Sequence, residues 1–363
     1  MAKRIVIISQ VMFPSLLPRA HRTTELAKEL SRQGYEVIIY ALLGSYNYKE
    51  FIEETGVQVK NLGYSDWGLI NSDEEIHRTF FHRIVNRTIG KYLWLPDRTI
   101  IPMVKQAIKE EGNIDCLITI AVPHVIHYSA SKADLTKVGC WIADCGDPFM
   151  LNPFSKHPKY FEKYERLWCE KCDYITVPVD TAINGYYPEY ANKIRIIPQG
   201  YDFSSNKVAE YKKNEVPTFA YIGAVYAGKR DPKLFLEFLK TEIKDFKFKV
   251  YGSSWSYFEP YKNVFGDKLE YCGRLPRERL IYELSQCDFL ININNESGVQ
   301  TPSKLIDYYL STRPILSIST NLSLNEINHF KQFVTGNFDN QTRVTNIEEY
   351  NIVSVASKFV SLI

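Results

Sequence analysis

The stretch Asn294-Asn295-Glu296-Ser297-Gly298-Val299-Gln300-Thr301-Pro302-Ser303-Lys304-Leu305-Ile306-Asp307-Tyr308-Tyr309 concentrates the groups best able to do chemistry. It leaves an apolar run, crosses a polar loop and enters a helical period. Thr301 suits a helix cap and Pro302 a first helical residue. The amides freed at such a helix start hold an anion, a pyrophosphate for instance. Ser303 and Lys304 add a hydroxyl and a cation at the same place. Asp307 follows Lys304 by three residues and shares its helix face. Its carboxylate can accept two hydroxyls, as a ribose or a sugar diol offers. The plain alternative is a capped helix with a solvated Lys–Asp face.

Four further loops carry reactive or charged groups. Gly223 and Gly228 allow close backbone approach, and Lys229 and Arg230 between them and Asp231 could neutralise a diphosphate. A mobile turn with surface charges is the alternative there. Arg19 and Arg22 stand at the start of a helix, where cations are unfavourable unless an anion is near. His124 and His127 share a helical face at i, i+3. They could be zinc ligands, one could be a catalytic histidine, or both could belong to the core. No further ligand is close in sequence, so no metal is expected. Asp144 and Asp147 end a strand, where they could bind hydroxyls, act as a base or cap a turn.

These residues need elements to position them. The chain alternates apolar strands with amphipathic helices almost throughout. Strands are expected over 4–9, 36–42, 58–62, 116–121, 140–144, 174–178 and 194–198, then over 219–222, 247–251, 269–272, 289–293 and 315–319. Helices are expected over 20–32, 232–242, 276–286 and 302–310, with a last one near 347–361. Asp231 and Pro232 form a helix start, a carboxylate cap before proline. Such alternation predicts α/β architecture with parallel sheets covered on both faces. Ligands then sit beyond the carboxyl ends of the strands, where the five loops lie. The polar stretch 202–217 marks a boundary. It separates a domain over 1–202 from one over 203–345, and 346–363 could pack back on the first.

Composition agrees. A chain of 363 residues has room for about two domains. Apolar content of 45% and charged content of 24% are those of an ordinary globular protein. A net charge of +2 argues against a nucleic-acid partner. The seven cysteines are scattered and odd in number, as in a reduced, cytoplasmic protein. Cys169 and Cys172 form one CxxC at the end of a helix, expected as buried, unreactive thiols. The high aromatic content is read first as core.

Together these loops resemble retaining family-4 glycosyltransferases, of the kind that build bacterial capsule, O-antigen or exopolysaccharide. The likeness rests on RIVIISQ, FPSLLPR..R..ELAKELSRQGYEV, VPHVIH, WIADCGDP, IRIIPQGYD, YIGAVYAGKRDPKLFLE and TPSKLIDYYLSTRPIL, in the order of the family. It implies a GT-B fold, two Rossmann-like domains facing across a cleft. The second would hold a nucleotide sugar and the first a glycan or lipid-linked acceptor. By the family's pattern Arg230 or Lys229 binds the donor diphosphate, with Gly223, Thr301, Ser303 and Lys304 on the phosphate side. Asp307 meets the ribose. His124, or alternatively His127, stands near the sugar, and Arg19, Arg22, Asp144 and Asp147 belong to the acceptor side. Val299 occupies the place of the family's first motif glutamate, which leaves Glu296 as the nearest substitute. The aspartates Asp144 and Asp147 lack the arginine often found between them.

No DxD pair occurs, so electrostatic stabilisation of the leaving diphosphate without a metal is expected. Two other readings stay open: a nucleotide-sugar epimerase of the same fold, and a non-catalytic nucleotide-sugar-binding partner. Residues 78–98 interleave Arg78, Arg83, Arg87, Lys91 and Arg98 with Phe80, Phe81, Ile84, Val85 and Trp94. This basic amphipathic pattern suits the inner face of an anionic membrane, or a helix packed on the sheet.

Overall fold

A computed structural model describes residues 2–63, 91–94, 97–152, 156–204, 206–228, 230–294 and 303–363. The chain divides into two compact units, Met1–Tyr201 with Glu348–Ile363, and Asp202–Ile347. Each is built on one parallel sheet.

The sheet of the first unit has seven strands: β1 (Arg4–Ser9), β2 (Glu36–Ala41), β3 (Gln58–Asn61), β4 (Ile114–Ala121), β5 (Val138–Cys145), β6 (Tyr174–Val177) and β7 (Ile194–Ile196). Their spatial order is β3-β2-β1-β4-β5-β6-β7. Alternation along β1 sends side chains to opposite faces. Ile5 and Ile7 meet Leu26 and Leu30 of α1 (Pro18–Arg32). Val6 and Ile8 join the cluster of α3 (Ile100–Glu111), α4 (Val125–Ser131) and α5 (Glu162–Lys171), α2 being Lys49–Thr55. The first helix starts at Pro18, two residues earlier than its apolar period indicates, because proline is at home in a first turn.

The second unit orders β8 (Thr218–Ile222), β9 (Lys247–Tyr251), β10 (Leu269–Gly273), β11 (Phe289–Ile293) and β12 (Ile315–Ile318) as β10-β9-β8-β11-β12. Its helices are α6 (Lys233–Glu242), α7 (Glu259–Phe265), α8 (Arg277–Ser285), α9 (Ser303–Leu310) and α10 (Leu324–Val334). One face is an aromatic core in which Phe219 stacks on Phe248 and Phe289, with centroids 4.9 and 5.1 Å away. Asp231 caps α6, its Oδ1 accepting from Lys233 N at 3.0 Å, and the helix proper begins after Pro232.

The last helix, α11 (Ile352–Val360), is shorter than its apolar pattern indicates and follows a separate turn, Ile347–Tyr350. Asn351 caps it, accepting from Val353 N at 3.2 Å. It buries Ile352, Val355, Ala356 and Phe359 in the core of the first unit. Among the described residues no helix is long and apolar enough to cross a membrane. Most of the basic stretch 78–98 lies outside the described residues. Trp94, at its end, has its ring against Phe149 and Tyr164, both 5.6 Å away, so this ring packs on the first unit.

Candidate functional site

In the second unit the strand order reverses between β8 and β11, the switch point at which open parallel sheets receive ligands. The ladder between these strands runs through Phe289–Phe219 and Leu290–Ala220. Beyond it the hydroxyl of Tyr308 stands in, accepting from Ile222 N and donating to Ile291 O, each at 2.9 Å. A tyrosine hydroxyl is thus built between two central strands, holding their ends apart while satisfying both backbones.

Lys304 reaches into this crevice. It is only 6% exposed, donates to Ile293 O at 3.2 Å and lies 4.9 Å from the ring centroid of Tyr221. Burial, and secondarily Arg230, pushes its pKa down to about 6. Arg230 closes a tight loop: its N–H donates to Tyr226 O at 2.8 Å and its carbonyl accepts the return bond from Tyr226 N at 3.2 Å. Gly228 makes that turn at φ +69°. The guanidinium donates from Nη1 to Ala224 O at 3.3 Å, and its Nε is buried without a hydrogen-bond partner among the described residues. Among those residues neither Lys304 nor Arg230 forms an ion pair with a carboxylate. Two basic side chains therefore converge at a switch point without a carboxylate partner among the described residues. Gly223, at φ +107°, makes the backbone turn out of β8 just beside the Lys304 side chain.

Asp307 lies one turn along α9 and accepts from Arg277 Nε at 2.7 Å. Burial raises its pKa, and Arg277 opposes that rise. Lys304 and Asp307, expected to share a face, are joined here by Arg277, Tyr308 and Tyr221. Sequence reading passed over these three, since an arginine at a helix start and tyrosines in an apolar period are unremarkable in isolation. Lys229, Glu296 and Thr301 lie outside the described residues, as does the side chain of Ser303; the backbone of Ser303 begins α9.

In the first unit the switch point lies between β1 and β4. Arg22 is buried, donating from Nη2 to Asp144 Oδ1 at 2.8 Å and from Nε to Oδ2 at 3.2 Å. Its Nη1 also donates to Pro198 O at 2.7 Å, and Phe359 lies 4.8 Å from its Cζ. Thr176 donates to Asp144 Oδ1 at 2.7 Å. Burial pushes the Asp144 carboxyl up, but Arg22 and Arg19 outweigh it and hold its pKa below the ordinary value. The anion beside the Arg19–Arg22 helix start is thus Asp144, and Arg22 and Asp144 form a buried brace. Arg19 keeps partial exposure and donates to Asp144 Oδ2 and to Gln199 Oε1, both at 3.3 Å. Its guanidinium stands over Gly146, where a Cβ would meet Arg19 Cζ at 2.9 Å. The charge absent between the two aspartates in sequence is supplied from α1. Asp147 is exposed at this rim.

His124 and His127 are 5% and 0% exposed. His124 stacks on Phe149 at 4.8 Å, and His127 meets Trp168 at 4.8 Å. Burial takes the pKa of His127 down to about 3 and lowers that of His124 well below its usual value. Both rings are withdrawn from solvent. Cys169 and Cys172 are buried free thiols, the latter pushed up to about 12 by burial.

No family model and no curated protein sequence matches this chain. Solved structures do. A glycosyltransferase from Rickettsia africae ESF-5 is similar with a TM-score of 0.64 at 13% identity, covering 99% of this chain and 97% of that one. Anabaena Alr3699/HepE, in complex with UDP-glucose, gives 0.61 at 9% identity, covering 99% and 98%. S. aureus TarM, in complex with fondaparinux, alpha-GlcNAc-glycerol and UDP, gives 0.57 at 10% identity, covering 99% of both chains. What is shared is the fold: two Rossmann-like domains of the GT-B class.

Proposed function

We propose that this protein is a glycosyltransferase that moves a sugar from a nucleotide sugar, with retention, onto a lipid-linked or polysaccharide acceptor in surface-glycan synthesis. The observation that carries the reading is the pair Lys304 and Arg230, two basic side chains without a carboxylate partner among the described residues, at the switch point of the second unit. A diphosphate supplies the missing counter-charge. As the bond from the anomeric carbon to phosphate oxygen breaks, negative charge grows on the departing nucleoside diphosphate. Arg230, and Lys304 once protonated beside the diphosphate, stabilise that charge more than they stabilise the bound donor. Asp307, oriented by Arg277, is placed to accept the ribose hydroxyls. UDP is the first nucleotide to try, because HepE and TarM were each solved with UDP or a UDP-sugar.

The test is titration with UDP and UDP-sugars, followed by turnover with lipid-linked acceptors. Lys304→Met and Arg230→Ala each remove a charge-assisted contact and are expected to weaken donor binding by roughly 10- to 150-fold. Lys304→Met also removes a buried amine, so the variant is expected to remain folded. Unchanged affinity in both variants would refute this donor site. Val299, in place of the family's first motif glutamate, favours a second reading: a nucleotide-sugar-binding partner that does not turn over. Binding without release of nucleoside diphosphate for any donor–acceptor pair would select it.

A further inference from the structure

Two histidines one turn apart are a poor metal site alone, but the fold adds a third ligand. Cys145, the last residue of β5, is in register with Ala121, the last residue of β4. His124 and His127 follow directly on the loop that leaves β4. A ring nitrogen from each histidine and the Sγ of Cys145 all lie within 4.8 Å of one another, and all three residues are buried. His127 Nε2 and Cys145 Sγ are 3.4 Å apart. Two ligands on one tetrahedral zinc, with Zn–N near 2.0 Å and Zn–S near 2.3 Å, stand about 3.5 Å apart, so atoms as far as 4.8 Å apart draw in on binding.

The surroundings favour the same reading. His127 Nδ1 is 2.7 Å from Thr119 Oγ1, which also accepts from Trp141 Nε1 at 2.9 Å. With Nδ1–H donating to that hydroxyl, Nε2 presents its lone pair toward Cys145. Metal-bound histidines are usually held by such a bond on the other nitrogen. His124 Nδ1, in a side chain about 95% buried, has no hydrogen-bond partner. Phe149 and Trp168 close the apolar shell.

We propose that His124, His127 and Cys145 form a buried site for one zinc ion, which ties the loop after β4 to the end of β5. Binding takes a proton from the Cys145 thiol and releases it to solvent as the sulfur–metal bond forms. The fourth position is left to water. The site is structural and independent of the donor reading.

The experiment uses untagged protein stripped with a chelator and titrated with cobalt(II), then with zinc. One equivalent of cobalt is expected to bind, with a thiolate-to-cobalt charge-transfer band in the near ultraviolet that zinc abolishes. Zinc should also raise Tm. Cys145→Ser should lose the band, and Cys169→Ser, a buried thiol outside the cluster, should keep it. His124→Phe preserves the stack on Phe149 and should lose tight binding even if Cys145→Ser does not fold. Thr119→Val should weaken cobalt roughly 10- to 100-fold. No uptake by the wild-type protein, or a cobalt spectrum unchanged in Cys145→Ser or His124→Phe, would overturn the proposal.

Discussion

Lys304 holds its amine in a pocket that resists protonation, and that makes ligand binding depend on pH. Its pKa is lowered to about 6 by burial and by Arg230. The unfolded lysine keeps its proton to about 10.4. Between those values the unfolded chain binds more protons than the folded one, so stability from this residue rises with pH over that window. A bound diphosphate reverses the balance by favouring the ammonium form. Near pH 8 a nucleotide sugar, whose phosphates do not titrate there, should therefore bind with uptake of close to one proton. Below about pH 6 the uptake should vanish, because Lys304 is already charged. Calorimetry at pH 8 in buffers of different ionisation enthalpy measures this, and buffer-independent heats would refute it. The Arg22–Asp144 brace makes the contrasting point at the same scale. A cation already paired to a buried carboxylate has no charge to offer a ligand, whereas Arg230 has one and Lys304 gains one on binding.

At the scale of the element, the switch point of the second unit depends on helix α9 reaching across two strands. Tyr308 on that helix takes both backbone bonds that β8 and β11 forgo beyond their short ladder. The same helix carries Lys304 and Asp307, so one element positions cation, carboxylate and spacer. Tyr308→Phe leaves Ile222 N and Ile291 O to be satisfied otherwise, which costs about 1–3 kcal/mol per buried group. The expected result is a folded protein of lower Tm whose donor affinity falls although no contact to the donor has been removed. If stability drops and donor affinity at a permissive temperature stays at the wild-type value, Tyr308 is only a core residue.

For the whole molecule, the terminal helix is the informative feature. After crossing the second unit the chain returns, and Ile352 N donates to Tyr201 O while Tyr201 N donates to Tyr350 O, both at 2.8 Å. Gly200 is needed there: a Cβ would lie 2.5 Å from Ile352 Cδ1. Phe359, fully buried, packs under Arg22 and so reaches the Asp144 brace from the far end of the chain. Phe359→Ala should cost roughly 3–5 kcal/mol. Hydrogen exchange should show the loss in β1 and β4 of the first unit, with β8 and β11 of the second unchanged. Uniform loss across both sheets would mean that the units do not respond separately.

Much of this was legible in one dimension. Alternating apolar runs and amphipathic periods predict two parallel sheets because side-chain periodicity is a local property of the backbone. Asp231-Pro232 reads as a helix start, because capping acts within a turn. That Lys304, Asp307 and Arg230 lie near the switch point of one sheet was readable because loops after strands gather at one end of a parallel sheet. Which charges are free was not readable. Arg22 and Asp144 are 122 residues apart and neutralise each other, and Arg19 fills the space over Gly146 from another element. Cys145 meets His127, and Arg277 meets Asp307, only through sheet order and helix packing. A sequence lists which charges exist, but whether a charge is spent on the fold or kept for a ligand depends on through-space distance and burial, and only the tertiary structure decides those.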